Sequence, residues 1–495
     1  MATVDTPLTR RRVGVLLHPT SLPGGMGCGD LGADAYHFVD FLVDSGISVW
    51  QMLPLVPTHG DLSPYQGLSV HAGNPLLINL TRLQEWGWLK GVIEPDTTDT
   101  TDFIQYRRCK LQNAYQGFIQ YADGAVRAEF SAFVAEHAGW LEDYALFQAI
   151  RQAQGNGRWL DWPDELRDHD AAALMKVGDV LKNAVNYVRF EQFAFFRQWH
   201  QLRDYARQRN VLLFGDLPIF VAHDSAEVWA NRELFTLDEH GKAQVVAGVP
   251  PDYFSATGQR WGNPHYHWER MQADGFSWWK QRIASQLDMF DWVRIDHFRG
   301  FEAYWEIQAS EETAMNGRWV KAPGDELFEA LHQVFDPLPL VAEDLGIITP
   351  EVDALRQKYH LPGMKILQFA FGGDAGNPYL PHNQTIDSVV YTGTHDNDTT
   401  LGWYQSLPDG VKQHVQHYLG HPQEPMPWPV IRSALASVAR LAMLPMQDLL
   451  GQDGGHRMNT PGTSDGNWRW RFEWRQIDDG LAPKLNALMA LYGRC

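Results

Sequence analysis

Cysteine is scarce in this chain: three residues in 495, at Cys28, Cys109 and Cys495. An odd number without CxxC spacing supports neither a disulfide framework nor a thiolate zinc site, and a reducing, cytoplasmic setting is expected. No apolar run reaches the ~18 residues that a membrane span needs, so no membrane association is expected. The opening stretch MATVDTPLTRRRVGVLLHP lacks an apolar core followed by a small-residue cleavage site, and no secretory signal is expected. Basic residues are outnumbered, 41 Lys and Arg against 60 Asp and Glu, for a formal net charge of −19. That sign repels nucleic-acid phosphates and keeps the chain soluble. A P-loop, a strand-linked GxGxxG and a pyridoxal-type lysine motif are also missing, so no cofactor is expected. Solenoid repeats and low-complexity tracts are absent, and Pro and Gly are dispersed. A single catalytic unit over residues 1–495 is therefore expected, as a monomer or small homo-oligomer.

Tryptophan, by contrast, is abundant, with 20 residues. Its ring faces stack on sugars as readily as they fill cores, so the count by itself is only suggestive. More informative are eight short apolar runs that end in polar or acidic residues. They are VGVLL (13–17), VWQMLPL (49–55), VLLFGD (211–216), WVRID (292–296), LVAED (340–344), MKILQF (364–369), SVVYTGTHD (388–396) and LAMLPMQD (441–448). Continuous rather than alternating runs read as strands buried on both faces. Helical stripes lie between them. Ala35, Phe38, Val39, Leu42 and Val43 follow i, i+3, i+4, i+7, i+8 spacing, with Gly46 as the stop, and Phe195, Trp199, Leu202 and Ala206 form another stripe. Eight strands separated by helices predict an α/β fold, a (β/α)8 TIM barrel. Two gaps are too long for simple connections. Residues 79–180 read as a helical insertion, and residues 221–275 as a loop-rich, aromatic insertion over the active face. The inserted subdomains are expected to be mainly helical.

Barrel enzymes place their chemistry at the carboxyl ends of the strands. Asp216, Asp296, Glu343 and Asp396 fall there. A single acid in such a place is ordinarily a helix cap or a salt-bridge partner; four at four strand ends form a rim. Metal-assisted hydrolysis would draw His395, Asp396, Asp398 and His297 into a ligand set, but the first strand supplies only His18, and no metal is expected. Glycoside cleavage by two carboxyl groups needs neither metal nor cofactor. Arg294, two residues before Asp296 on the same strand face, can keep that carboxylate ionised and aimed.

Longer strings sharpen this reading. VRIDHFRG (293–300), VAEDLG (341–346), YTGTHDNDT (391–399), HPTSLP (18–23), SPYQ with AGNPLLI (63–66 and 72–78), GDLPIFVAHDSAEVW (215–229), VAGVPPDYFSATGQRWGNP (246–264) and RMNTPGT (457–463) resemble the motifs of the 4-α-glucanotransferases, the amylomaltases or disproportionating enzymes of glycoside hydrolase family 77. The resemblance spans nearly the whole chain. It implies transfer of α-1,4-glucan segments to the 4-hydroxyl of an acceptor glucan or glucose, by a retaining double displacement. Asp296 would be the nucleophile, Glu343 the general acid/base and Asp396 the third carboxylate, on the hydroxyls of the reacting glucose. His395 would bind the same sugar, and Asp216 would bind or orient substrate. Tyr65, Tyr253, Phe254 and Trp261 are the expected aromatic surface, and Asn459 and Pro461 lie in a loop expected to cover the groove. The chemistry implies a protonated Glu343 beside an ionised Asp296, its pKa raised by burial and by that neighbouring charge. Relatives with Gly-Tyr-Gly-Asp before Ser-Pro-Tyr differ from THGDLSPY (58–65), which puts in doubt a secondary glucan site built on that tyrosine. The rival activity is hydrolysis of α-1,4-glucans; a catalytically silent glucan-binding protein is countered by the intact acids.

Overall fold

The computed structural model describes residues 9–25, 27–91, 93, 100–251, 255–463 and 465–495. Among them are twelve strands: β1 (Arg12–Leu16), β2 (Val49–Gln51), β3 (Leu212–Leu217), β4 (Val245–Val249), β5 (Gln259–Pro264), β6 (Trp292–Ile295), β7 (Ala303–Gln308), β8 (Gly317–Lys321), β9 (Leu340–Ala342), β10 (Gly363–Ile366), β11 (Ser388–Tyr391) and β12 (Leu441–Pro445). Eight of them form one parallel sheet in the order β10-β11-β12-β1-β2-β3-β6-β9. The Ala342 N–H donates to Pro362 O at 2.9 Å, drawing β9 toward β10 so that the sheet nearly closes. These are the eight apolar runs, and the fold is the expected (β/α)8 barrel.

Strand periodicity explains why the runs are apolar throughout. Alternate residues point to opposite faces. Val49, Phe214, Trp292, Val341, Met364, Ile366, Val389, Tyr391, Leu441 and Met443 pack together inside the barrel. Their neighbours Trp50, Leu213, Val293, Leu340, Val390 and Ala442 join the larger core under the helices. With both faces buried, neither can be polar until the strand ends.

The helix Ala33–Asp44 buries Ala35, Phe38, Val39 and Leu42, and Gly46 follows at φ 69° as its left-handed stop. Val43, expected in the same stripe, is instead 40 % exposed, because it falls outside the arc the barrel covers. The helix Lys182–Gln208 carries Phe195, Trp199, Leu202 and Ala206 fully inward, and the Trp199 indole N–H donates to Met289 O at 3.1 Å. Between β2 and this helix lie the helices Leu80–Glu85, Thr100–Tyr121, Gly124–Glu136, Ala138–Ala153, Asp164–Arg167 and Ala171–Val180. The 221–275 segment contains β4 and β5, which pair antiparallel with β7 and β8 in a second sheet of order β5-β4-β7-β8. Alternation along β5 sets Gln259, Trp261 and Asn263 on one face, toward the mouth of the barrel.

Candidate active site

The inward parity of the barrel strands continues to their carboxyl ends, and there it changes from apolar to charged. Beyond Phe214 comes Asp216; beyond Trp292 come Arg294 and Asp296; beyond Val341 comes Glu343. Asp216 is wholly buried. Arg294 Nη1 donates to both of its oxygens at 2.8 Å, and the Tyr65 hydroxyl donates to Oδ2 at 2.8 Å. The other end of the guanidinium, Nη2, forms an ion pair with Asp296 Oδ1 at 2.9 Å. Burial works against the Arg294 cation, but Asp216 and Asp296 outweigh it and hold its pKa well above the usual value. Arg294 is thus a fixed positive charge between two acids, and one of its forks aims Asp296.

Ile295 pairs with Ala342, and the Glu343 N–H donates to Ile295 O at 3.0 Å. Asp296 and Glu343 therefore leave neighbouring strands at the same height, where strand spacing is about 4.8 Å. Glu343 Oε2 accepts the His297 N–H at 2.7 Å and Oε1 the Leu345 N–H at 3.0 Å. His297 reaches that position in the left-handed region, at φ 51°, a conformation unusual for a side chain of its size. Burial raises the Glu343 pKa from 4.5 to about 7; Asp296 adds to the rise, while Arg294 and the two N–H donors oppose it. The His297 imidazole is kept neutral, its pKa lowered to about 4 by burial, and its Nε2 has no hydrogen-bond partner. Trp261 meets the His297 ring edge-on at 5.0 Å.

Asp396 follows β11 on a turn, with its side chain 48 % exposed at the opposite wall. His395 Nε2 lies 3.3 Å from its Oδ2, Asn459 Nδ2 donates to Oδ1 at 2.6 Å, and Arg457 Nη2 donates to its main-chain oxygen at 3.0 Å. Desolvation within the cleft works against the Asp396 anion, but His395 and Asn459 prevail and hold its pKa well below the usual carboxylate range. Burial likewise opposes the His395 cation, and Asp396 reverses the sign and raises its pKa. Tyr65 stacks on His395 with centroids 5.2 Å apart.

Tyr65, Trp261, Arg294, Asp296, Glu343, Asp396, Asn459 and Pro461 all line one cleft, with about 1610 Å³ of empty volume. Asp216 does not line it and sits beneath the floor, its oxygens committed to Arg294 and Tyr65. His395 stands behind Asp396, packed between Tyr65 and that carboxylate. Tyr253 and Phe254 lie outside the described residues. Among the described residues, no group of three or more His, Cys, Asp or Glu side chains is arranged to hold a metal ion. No helix of the described residues is long and apolar enough to cross a membrane.

A family profile described as 4-alpha-glucanotransferase matches residues 17–477. The chain is 51 % identical over 498 residues to a 4-alpha-glucanotransferase of Synechocystis, covering 98 % of this chain and 99 % of that one. It is 50 % identical to a 4-alpha-glucanotransferase of Thermus thermophilus, over 97 % and 98 % of the two chains. Its structure matches an amylomaltase from Streptococcus agalactiae, solved in complex with acarbose, with a TM-score of 0.94 at 37 % identity, over 98 % of this chain and 100 % of that one. The chain belongs to the 4-alpha-glucanotransferase family. It is accordingly a glucan-transferring enzyme, and the cleft just described is the place in it where acids, an arginine and aromatic rings converge.

Reading the sequence for 4-alpha-glucanotransferase residues missed several members of the cleft wall. Gln259 and Asn263 flank Trp261 at strand spacing, a signal that required knowing that 259–264 is a strand. His297 was weighed only as a metal ligand, whereas its contribution is a backbone N–H, which no side-chain motif advertises. Trp468 carried no local signal at all.

Proposed function

We propose that this enzyme transfers α-1,4-glucan segments to the 4-hydroxyl of a second glucan or of glucose, by double displacement with retention. The observation that carries the mechanism is the placement of Asp296 and Glu343 at the ends of adjacent, paired strands, in keeping with the ~5–5.5 Å separation that a retaining mechanism requires. Asp296, aimed by Arg294, attacks the anomeric carbon of the donor sugar. As that bond forms, the glycosidic C–O bond breaks, and Glu343 passes its proton to the departing 4-oxygen. A pKa raised to about 7 supports this first role, since the carboxyl holds its proton near neutrality. In the second half the 4-hydroxyl of the acceptor gives its proton back to Glu343, its oxygen attacks the anomeric carbon, and the bond to Asp296 breaks.

Asp396 accepts hydrogen bonds from hydroxyls of the sugar undergoing transfer, with His395 and Asn459 fixing its orientation. Asp216 acts through Arg294 and Tyr65 as a positioning residue, since both its oxygens are already used. Trp261, Tyr65 and the loop holding Asn459 and Pro461 supply the surface on which an acceptor sugar competes with water. Tyr253 and Phe254 are proposed to extend that surface, from the sequence pattern. The acarbose complex of the Streptococcus agalactiae relative is in keeping with an oligosaccharide in the corresponding cleft. The test is incubation with maltotriose. A ladder of longer maltooligosaccharides with released glucose is expected. Shorter sugars alone, with reducing ends rising in step, would show a hydrolase instead.

A further inference from the structure

The stretch from Met458 to Trp468 closes on itself. The Trp468 N–H donates to Met458 O at 2.8 Å, and Asn467 Oδ1 accepts from the Thr460 N–H at 2.9 Å. Trp468 ends it at φ 65°, in the left-handed region where a bulky side chain is a genuine outlier. Such strain persists only where the surroundings enforce it, and it gathers at functional sites. Here it sets the indole beside Tyr65 and His395, with ring centroids 5.9 and 6.1 Å away. The His395 ring in turn lies 3.3 Å from Asp396.

Trp468 also lines a second cavity, with about 860 Å³ of empty volume. Among the described residues it is the one shared by the walls of that cavity and of the catalytic cleft. The lining of the cavity also includes His18, Thr20, Thr58, Asn74 and Arg471, groups able to hydrogen-bond sugar hydroxyls.

We propose that Trp468 is a donor-specificity residue, a partition that confines the sugar held at Asp396 to an unbranched glucan by closing the cleft off from this side cavity. The inference rests on the transferase reading above. Removing the indole joins the two spaces and gives a glucosyl branch on the donated sugar somewhere to go.

The test compares wild type, Trp468→Ala and Trp468→Leu on two trisaccharide donors. Maltotriose is linear. In panose the sugar donated across the α-1,4 bond carries a second glucosyl unit in α-1,6 linkage. Wild type is expected to turn over maltotriose and leave panose essentially untouched. In Trp468→Ala the panose-to-maltotriose ratio of kcat/KM is expected to rise at least about tenfold, by gain on panose as well as loss on maltotriose. Trp468→Leu, which keeps an apolar filler and gives up the ring, moves in the same direction and carries the test if the alanine variant does not fold. A ratio unchanged in a folded variant, or a wild type that uses panose as well as maltotriose, overturns the proposal. Failure of the transferase reading shows separately, as the absence of a maltotriose ladder in wild type.

Discussion

Glu343 links activity and stability in a way that can be measured. It is 9 % exposed, and its pKa is raised from a free glutamate's 4.5 to about 7, chiefly by burial. Between those two pH values the folded protein keeps a proton that the unfolded chain has released. Unfolding in that window therefore releases a proton, and stability falls as pH rises. At about 1.4 kcal/mol per pH unit, the interval corresponds to a loss of about 3 kcal/mol by the time pH passes 7. Below 4.5 both states are protonated and the penalty vanishes; above 7 it is fully present and constant. Glu343→Gln has no proton to lose. Its amide puts an NH₂ where one of two backbone donors, His297 or Leu345, now points, a cost that does not vary with pH. The expectation is that the stability of Glu343→Gln relative to wild type increases by about 3 kcal/mol between pH 4.5 and 8. Equilibrium urea unfolding of both proteins at several pH values measures this. The variant should at the same time lose about 10²–10⁴-fold in turnover, as expected for loss of a general acid. A stability difference that stays flat with pH would refute the argument that burial holds this proton. So would a wild-type kcat/KM that does not decline as pH rises beyond about 7.

Other outcomes follow from the same geometry. Asp296→Asn is expected to lower turnover on the order of 10⁴-fold or more while circular dichroism stays that of wild type, since Arg294 keeps its buried partner. Asp216→Ala removes that partner and is expected to cost about 3–5 kcal/mol of stability, nearer the lower end because Arg294 keeps Asp296 at 2.9 Å; thermal and urea unfolding would show it. Asn459→Ala deletes the 2.6 Å donor to Asp396 and is expected to reduce kcat/KM for maltotriose about tenfold, with little change in unfolding temperature. Excess EDTA is expected to leave the maltotriose ladder unchanged; loss of activity restored by a divalent cation would revive a metal-dependent mechanism.

The local chemistry of the chain determined a good deal on its own. Runs buried on both faces have no room for polar side chains, so eight barrel strands were visible as eight apolar stretches, and the acids that end several of them were visible as a set at the carboxyl end of the barrel. The two-residue period then placed Arg294 on the same side as Asp296 without any structure. Other features depended on residues far apart in sequence. The second sheet was hidden because β5, β7 and β8 are partly exposed and β4 pairs with β5 through a register shift, and they become strands by pairing with one another. Val43 obeyed a helical period and still faced water, because the width of the covered arc is set by the neighbour. For Asp216 the sequence left binding and orienting substrate both open, and its partners Arg294 and Tyr65, the latter 151 positions earlier, came only from the tertiary structure. The proton on Glu343 is likewise a tertiary property. It arises from burial and from Asp296 on the adjacent strand, set against the His297 and Leu345 N–H groups, and a field of that kind exists only once the barrel has closed around it.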